Sequence, residues 1–242
     1  MRSLPPFPDL RAFLGWLEGQ GDLATIREPV SLRHEMTAVQ LAALRRGGPA
    51  LRFEGHDGRQ NGQAMPVIAN LFGTPARVAA GLGLLPDQVP EFGAFLAALR
   101  SPAPVGGMRD ALSRWPMLRA ALAARPKVLR HGPVQEADLP GLDRLPVQTP
   151  WPGDGGPLIT WPVVITRPEG TAAGDTAQYN LGVYRAQVLS PDRLILRWLA
   201  HRGGAAHHRT WARAAEPMPV AIALGADPAT LLAAALPLPE TV

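Results

Sequence analysis

The 242-residue sequence predicts an α+β protein. A mixed α/β unit over residues 1–125 precedes a sheet-rich unit over residues 126–242. Three observations carry that expectation. In the first half, helical apolar periodicity with capping residues alternates with short strand-like runs. A proline- and glycine-rich stretch, residues 131–157, then divides the chain. Closely spaced strand patterns separated by turn residues follow it, as in an antiparallel sheet or barrel.

The first helix is DLRAFLGWLEGQG, with Asp9 at its cap, Leu10, Phe13, Leu14 and Leu17 on one stripe, and Gly21 at its end. HEMTAVQLAALRRGG repeats the pattern and closes on Gly47. ALRFE and MPVIANLF read as strands. TPARVAAGLG is a helix with Thr74 at the cap, Pro75 in the first turn and Gly83 beyond the last. EFGAFLAALR and RDALSRWPMLRAALAAR are further helices. Residues 131–157 read as a linker or loop. LITWPVVITR, QYNLGVYRAQVL and DRLILRWL are strand patterns, GGAAHHRTWARA a helix, MPVAIALG a buried strand, and DPATLLAAAL a helix opened by Asp227 and Pro228.

Composition narrows the function classes. Hydrophobic residues make up 46% of the chain and charged residues 18%, the balance of a globular protein rather than a disordered or membrane-embedded one. No apolar run reaches the roughly 20 residues of a spanning helix. MRSLPPFPDL lacks the apolar stretch of a secretory signal, so the expected location is the cytoplasm. The absence of cysteine excludes disulfides and thiolate metal sites. A net charge of +4 invites a nucleic-acid reading. Lys127 is the single lysine, however, and the sequence has neither basic blocks nor a helix-turn-helix, zinc-finger or RNA-binding signature. No nucleic-acid partner is expected. Basic residues gather only over 178–213, where Arg185, Arg193, Arg197, Arg202, Arg209 and Arg213 accompany one acid, Asp192. That pattern suits a small phosphorylated ligand.

Within this stretch, Arg185 interrupts an apolar strand pattern. A buried guanidinium needs an anionic partner; a guanidinium at a sheet edge needs only water. Asn180 fits turn chemistry, or an amide ligand to a hard cation. His201 and Arg202 precede Gly203-Gly204 at a helix start, where free backbone N–H groups make either a phosphate cradle or an ordinary turn. Trp198 is placed to pack in a core or on an aromatic ligand. His207 and His208 are expected on a solvated helix face.

At these residues the chain resembles the UbiD family of decarboxylases, in particular the 3-polyprenyl-4-hydroxybenzoate carboxy-lyases of ubiquinone biosynthesis. The resemblance runs through DLRAFLGWLEGQGDL, GGPALRFE, NLFGTPARVA, TPWPGDGGPLITWPVVITR, NLGVYRAQVL, RWLAHRGGA and PVAIALGADPATLLAAALPLPET. It implies a split β-barrel that binds prenylated FMN with a divalent metal, usually manganese, and often potassium. Asn180 matches a metal ligand, and His201 stands where some members supply a second. Val183, Tyr184, Arg185, Arg197, Trp198, Leu199, Arg202 and Gly203 match cofactor-binding positions. Arg185 also matches the catalytic arginine of a Glu-Arg-Glu network that orients the acid. The implied reaction is nonoxidative loss of carbon dioxide from an aromatic or α,β-unsaturated acid. The implied partners are a flavin prenyltransferase as cofactor supplier, further copies of the full-length chain, and the inner membrane face where a polyprenylated substrate resides.

Asn180 and Arg185 are five residues apart, so a regular strand would point them to opposite faces; either a bulge at Gly182 reconciles them or the two serve different walls of the site. In the family, PLPET leads into a segment carrying the metal-binding glutamate, with the network glutamates and proton donor later still. Glu240 is no substitute for them. The sequence therefore reads as an N-terminal portion with an unfinished barrel, inactive alone. A short flavin- or partner-binding protein without catalysis, and a flavin reductase, are the alternative functions.

Overall fold

The computed structural model describes residues 6–58, 65–100 and 129–236. The first helix, α1, spans Leu10–Gly19. Asp9 Oδ1 accepts the Ala12 N–H at 2.8 Å to start it, and Gly21, at φ 69°, turns the chain out of it. Phe13 and Leu17, four residues apart on one face, are fully buried and pack with Ala50.

A three-stranded sheet follows, in the order β1-β2-β3, from Leu23–Ile26, Ala50–Phe53 and Val67–Ala69. β1 and β2 run parallel, so a crossover must join them, and α2 (Glu35–Arg45) supplies it. Met36, Leu51 and Phe53 form the core beneath that helix. MPVIANLF contributes only three strand residues, antiparallel to β2. Helix α3 (Pro75–Gly81) starts where Thr74 Oγ1 accepts the Arg77 N–H at 3.3 Å, and α4 spans Val89–Arg100. The helix expected over 109–125 lies outside the described residues.

Arg77 is the tie of this half. Its side chain is 2% exposed, pairs with Asp22 Oδ1 at 2.7 Å and donates to the Gly48 carbonyl at 3.1 Å. One guanidinium thus fixes α3 against the residues that lead into both β1 and β2.

Residues 131–157 are more than a linker. The Thr149 N–H donates to the Leu32 carbonyl at 3.0 Å, the Thr149 carbonyl accepts from His34 N–H at 2.9 Å, and Leu142 N–H donates to the Pro191 carbonyl at 2.8 Å. These backbone bonds fasten the stretch to both halves of the chain.

Beyond it stand two antiparallel sheets of three strands each. One has the order β4-β7-β8, from Leu158–Ile159, Ala186–Ser190 and Arg193–Leu196. The other has the order β6-β5-β9, from Asn180–Val183, Val163–Thr166 and Ala221–Ala223. Helices α5 (Gly203–Ala214) and α6 (Pro228–Ala235) complete this part. Asp227 Oδ1 caps α6 by accepting Thr230 N–H at 3.0 Å. Among the described residues the sheets do not close into a barrel.

LITWPVVITR and QYNLGVYRAQVL are each expected as one strand. Each instead passes from one sheet to the other. Ile159 pairs with Ala186 before the change and Val163 with Val183 after it. Residues 160–162 therefore face only 184–185, one residue more on one side than the other, which bends the ribbon as a bulge does. Pro162, fully buried at this corner, has no N–H to offer a continuous ladder. Gly182 is in regular register with Val164, so no bulge lies there, and Asn180 and Arg185 serve different surfaces, only Arg185 of the two lining the cleft described below. The sequence predicts MPVAIALG as a buried strand. β9 is instead a short edge strand with Ala221 exposed. No helix among the described residues is long and apolar enough to cross a membrane.

Two outcomes are expected. Asp22→Ala strands the buried Arg77 charge and lowers unfolding free energy by about 3 kcal/mol, read from denaturant melts; a loss below about 0.5 kcal/mol would reject the tie. Asp57 accepts the Ser31 hydroxyl at 2.6 Å and the Leu32 N–H at 2.8 Å. The Ser31 bond first, opposed by partial burial and aided by Leu32, holds its carboxyl below the ordinary aspartate range. Its stabilising contribution is present above the unfolded-state value of about 3.9 and is lost as pH falls through the lower folded value. NMR titration of Ser31→Ala is expected to move Asp57 back up.

Candidate functional site: an arginine-lined cleft

The corner at Tyr184–Arg185 sends consecutive side chains different ways. Tyr184 is 8% exposed, whereas Arg185 reaches solvent. The register of β7 with β8 ends at Ala186–Leu196, so Arg185 and Arg197 flank that pair at opposed positions one step further on. Like charges opposed across two strands repel unless an anion or solvent lies between them.

Both arginines line an open cleft of about 770 Å³. Val183, Tyr184 and Gln187 come to it from the β6–β7 ribbon, Leu158 from β4, and Ile195 and Leu196 from β8. Leu199 and Arg202 enter from the turn before α5, and Ala234 and Ala235 from α6. No aspartate or glutamate is among the lining residues described. None of the three guanidiniums forms an ion pair with a described residue.

Behind the lining, aromatic and glycine residues set the start of α5. The Tyr184 hydroxyl accepts the Gly204 N–H at 3.1 Å. Its ring meets Trp198 edge-on, with centroids 4.8 Å apart and planes at 72°. A Cβ on Gly204 would overlap the Trp198 ring, and one on Gly203 would overlap Asn180 Oδ1. The paired glycines thus allow the helix start to seat on Trp198 and Asn180. Asn180 opens β6 opposite Thr166, and its Nδ2 is shielded from solvent without a partner.

Flavin mononucleotide fits this arrangement. Its phosphate needs donors, which the three guanidiniums supply. Its flat ring needs apolar walls, which Leu158, Ile195, Leu196 and Leu199 supply. A metal fits less well. The unpartnered atom of Asn180 is Nδ2, a donor that cannot ligate a cation, and His201 is exposed and makes no hydrogen bond with a described residue. The described residues contain no group of three His, Asp or Glu side chains able to hold an ion.

Residues 14–96 match the 3-octaprenyl-4-hydroxybenzoate carboxy-lyase N-terminal domain, and residues 125–242 match the Rift-related domain of the same enzymes, UbiD. The chain belongs to the UbiD family. Solved structures similar to it include the closed form of vanillic acid decarboxylase from Sedimentibacter hydroxybenzoicus, at 25% identity and TM-score 0.77, covering 97% of this chain and 46% of that one. The UbiD-class enzyme HmfF from Pelotomaculum thermopropionicum in complex with FMN is similar at 27% identity and TM-score 0.73, with 97% and 46% covered. An evolved dimeric form of HmfF in complex with prFMN is similar at 28% identity and TM-score 0.68, with 94% and 46% covered. The chain spans a little under half the length of each of these relatives.

In this UbiD chain, Val183, Tyr184, Arg185, Arg197, Leu199 and Arg202 meet in the cleft. Trp198, Gly203 and Asn180 stand behind it, and His201 lies on the exposed turn outside it. His207 was expected on a solvated face but is half-buried, with Nδ1 3.0 Å from Thr166 Oγ1; His208 is exposed as expected. Sequence reasoning missed Gln187, Leu158, Gly182, Ile195, Leu196 and the two α6 alanines. For Gln187 a signal existed, since strand alternation from Arg185 puts it on the same face.

Tyr184→Phe removes the hydroxyl acceptor of the Gly204 N–H and is expected to cost about 1 kcal/mol in denaturant unfolding. Gly204→Ala forces Trp198 aside and is expected to cost about 1–3 kcal/mol, with a changed Trp fluorescence spectrum. Unchanged melting in both variants would mean that the start of α5 is not held there.

Proposed function

We propose that this chain is the flavin-binding portion of a UbiD-class carboxy-lyase, that the cleft holds prenylated FMN, and that the whole enzyme converts 3-polyprenyl-4-hydroxybenzoate to 2-polyprenylphenol. The observation that carries the reading is the set of three guanidiniums in one cleft without a carboxylate among its described lining. Such a site demands an anion. The FMN and prFMN in the HmfF structures support the choice of a flavin phosphate.

Arg197 and Arg202 hold the phosphate in this reading, and the N-terminus of α5 adds its dipole. Arg185, beside Arg197 but on the ribbon corner, orients the carboxylate of the aromatic acid and balances its charge. Tyr184, Trp198, Leu199, Val183 and Gly203 shape the cofactor's surroundings. The bound flavin supplies the electron sink for decarboxylation. Asn180 contributes an amide oxygen toward a divalent cation such as manganese, with His201 a second candidate ligand and potassium a further ion. No step depends on that cation here. No described lining residue is a carboxylic acid, so the proton that replaces carbon dioxide comes from outside this set.

The remaining assignments follow from the substrate and cofactor. A flavin prenyltransferase supplies the cofactor, the full-length chains assemble with one another, and the polyprenyl tail brings a cytoplasmic protein to the inner membrane face. The domain division near residue 125 separates the α/β unit from this flavin-binding unit.

Fluorescence titration with FMN tests the reading. Arg197→Ala and Arg202→Ala are each expected to weaken binding at least about tenfold, because a charge-assisted hydrogen bond contributes about 1.5–3 kcal/mol. Arg185→Ala is expected to weaken FMN less and to abolish decarboxylation when the rest of the enzyme is supplied. FMN binding indifferent to all three arginines would overturn the site. Binding without decarboxylation in the completed wild-type enzyme would favour a non-catalytic flavin carrier.

A further inference from the structure

One polar group in the cleft is left unused by the reading above. Gln187 pairs across the sheet with Leu158 on one side and Ile195 on the other, and all three line the cleft. The amide therefore sits in an apolar strip, two residues from Arg185.

Its orientation is fixed. Gln187 Nε2 donates to the Gly155 carbonyl at 2.9 Å, and a carbonyl can only accept, so the NH2 end must face that way. Gly155 and Gly156 make the approach possible. A Cβ on either would crowd the amide at 3.3 and 3.2 Å, and Gly156 has φ 151°, a conformation suited to glycine. With Nε2 committed, Oε1 remains as an acceptor that takes no hydrogen bond from a described residue.

The rest of the cleft's polar chemistry is opposite in kind. Its three guanidiniums only donate, and the Tyr184 hydroxyl already accepts from Gly204. FMN has complementary chemistry. Its phosphate and ring carbonyls accept, and its oxidised ring carries one donor, the imide N3–H. The ribityl hydroxyls can turn to donate or accept, but a flexible polyol is a poor match for the strip between Leu158 and Ile195. A flat ring covers it.

We propose that Gln187 Oε1 accepts the hydrogen bond of the flavin N3–H, so that Gln187 reads the pyrimidine edge while the arginines hold the phosphate. This rests on the flavin reading of the cleft. The test compares FMN with N3-methyl-FMN in fluorescence titrations of the full 242-residue chain, as wild type and as Gln187→Met, which keeps side-chain length. The wild type is expected to prefer FMN by about three- to tenfold, the worth of one neutral hydrogen bond. Gln187→Met is expected to bind the two equally, near the weaker level. Equal binding of both ligands by the wild type overturns the proposal without recourse to any variant. So does a preference that survives Gln187→Met, which would place the methyl clash elsewhere. If the wild type binds neither ligand, the flavin reading itself fails and takes this inference with it.

Discussion

The candidate site depends on one bend. A single antiparallel ribbon, formed by residues 158–166 and 180–190, leaves one sheet and enters another at a corner where three residues oppose two. Side-chain alternation holds through the corner, with Gly182, Tyr184 and Ala186 buried and Arg185 between them exposed and lining the cleft. Buried Pro162 secures the bend from the other side by denying the ladder an N–H. A straight ribbon would keep Asn180 and Arg185 on opposite faces of one sheet. The bend lets the first serve the seat of α5 and the second the cleft.

Charge explains why the cleft stays open. Arg185 and Arg197 occupy opposed positions past the end of the β7–β8 register, and Arg202 joins them from the turn before α5. No described acid neutralises them. Such a group of cations costs stability in a free protein, and solvent bears the repulsion while the cleft is open. A dianionic ligand removes it. Elsewhere the same chain buries an arginine differently: Arg77 has Asp22 at 2.7 Å and a carbonyl beside it, so its charge is matched within the fold. The contrast separates an arginine whose charge is matched within the fold from arginines without an ion pair among the described residues.

What was legible in the sequence follows the range of the interaction. Asp9, Thr74 and Asp227 cap their helices as expected because a cap involves neighbours three residues away. The positions of Arg185, Arg197 and Arg202 in one cleft were legible through their clustering and the family resemblance. Strand continuity was not. An apolar run looks the same whether it stays in one sheet or crosses to a second, and Pro162 was the only local sign of a break. Arg77 was invisible because its partners lie 55 and 29 residues away. Thr149, placed in an expected loop, was likewise hidden by its pairing with Leu32 and His34, far back in the chain.

The two adjacent glycines show how the bend reaches function. Gly204 lets the helix lie on Trp198 and passes its N–H to the Tyr184 hydroxyl, so its backbone donor is spent inside the protein. Gly203 lies over Asn180, whose amide has one end without a partner. One glycine therefore joins the helix to the inward side of the corner, and the other joins it to the first residue of the same strand. Asn180 at the start of β6 and Tyr184 just past its end hold α5, and Arg202 is the residue before that helix. The position of the cleft's third cation is thus set by the strand that turns out its first. A change at the corner would therefore move Arg185 and Arg202 together.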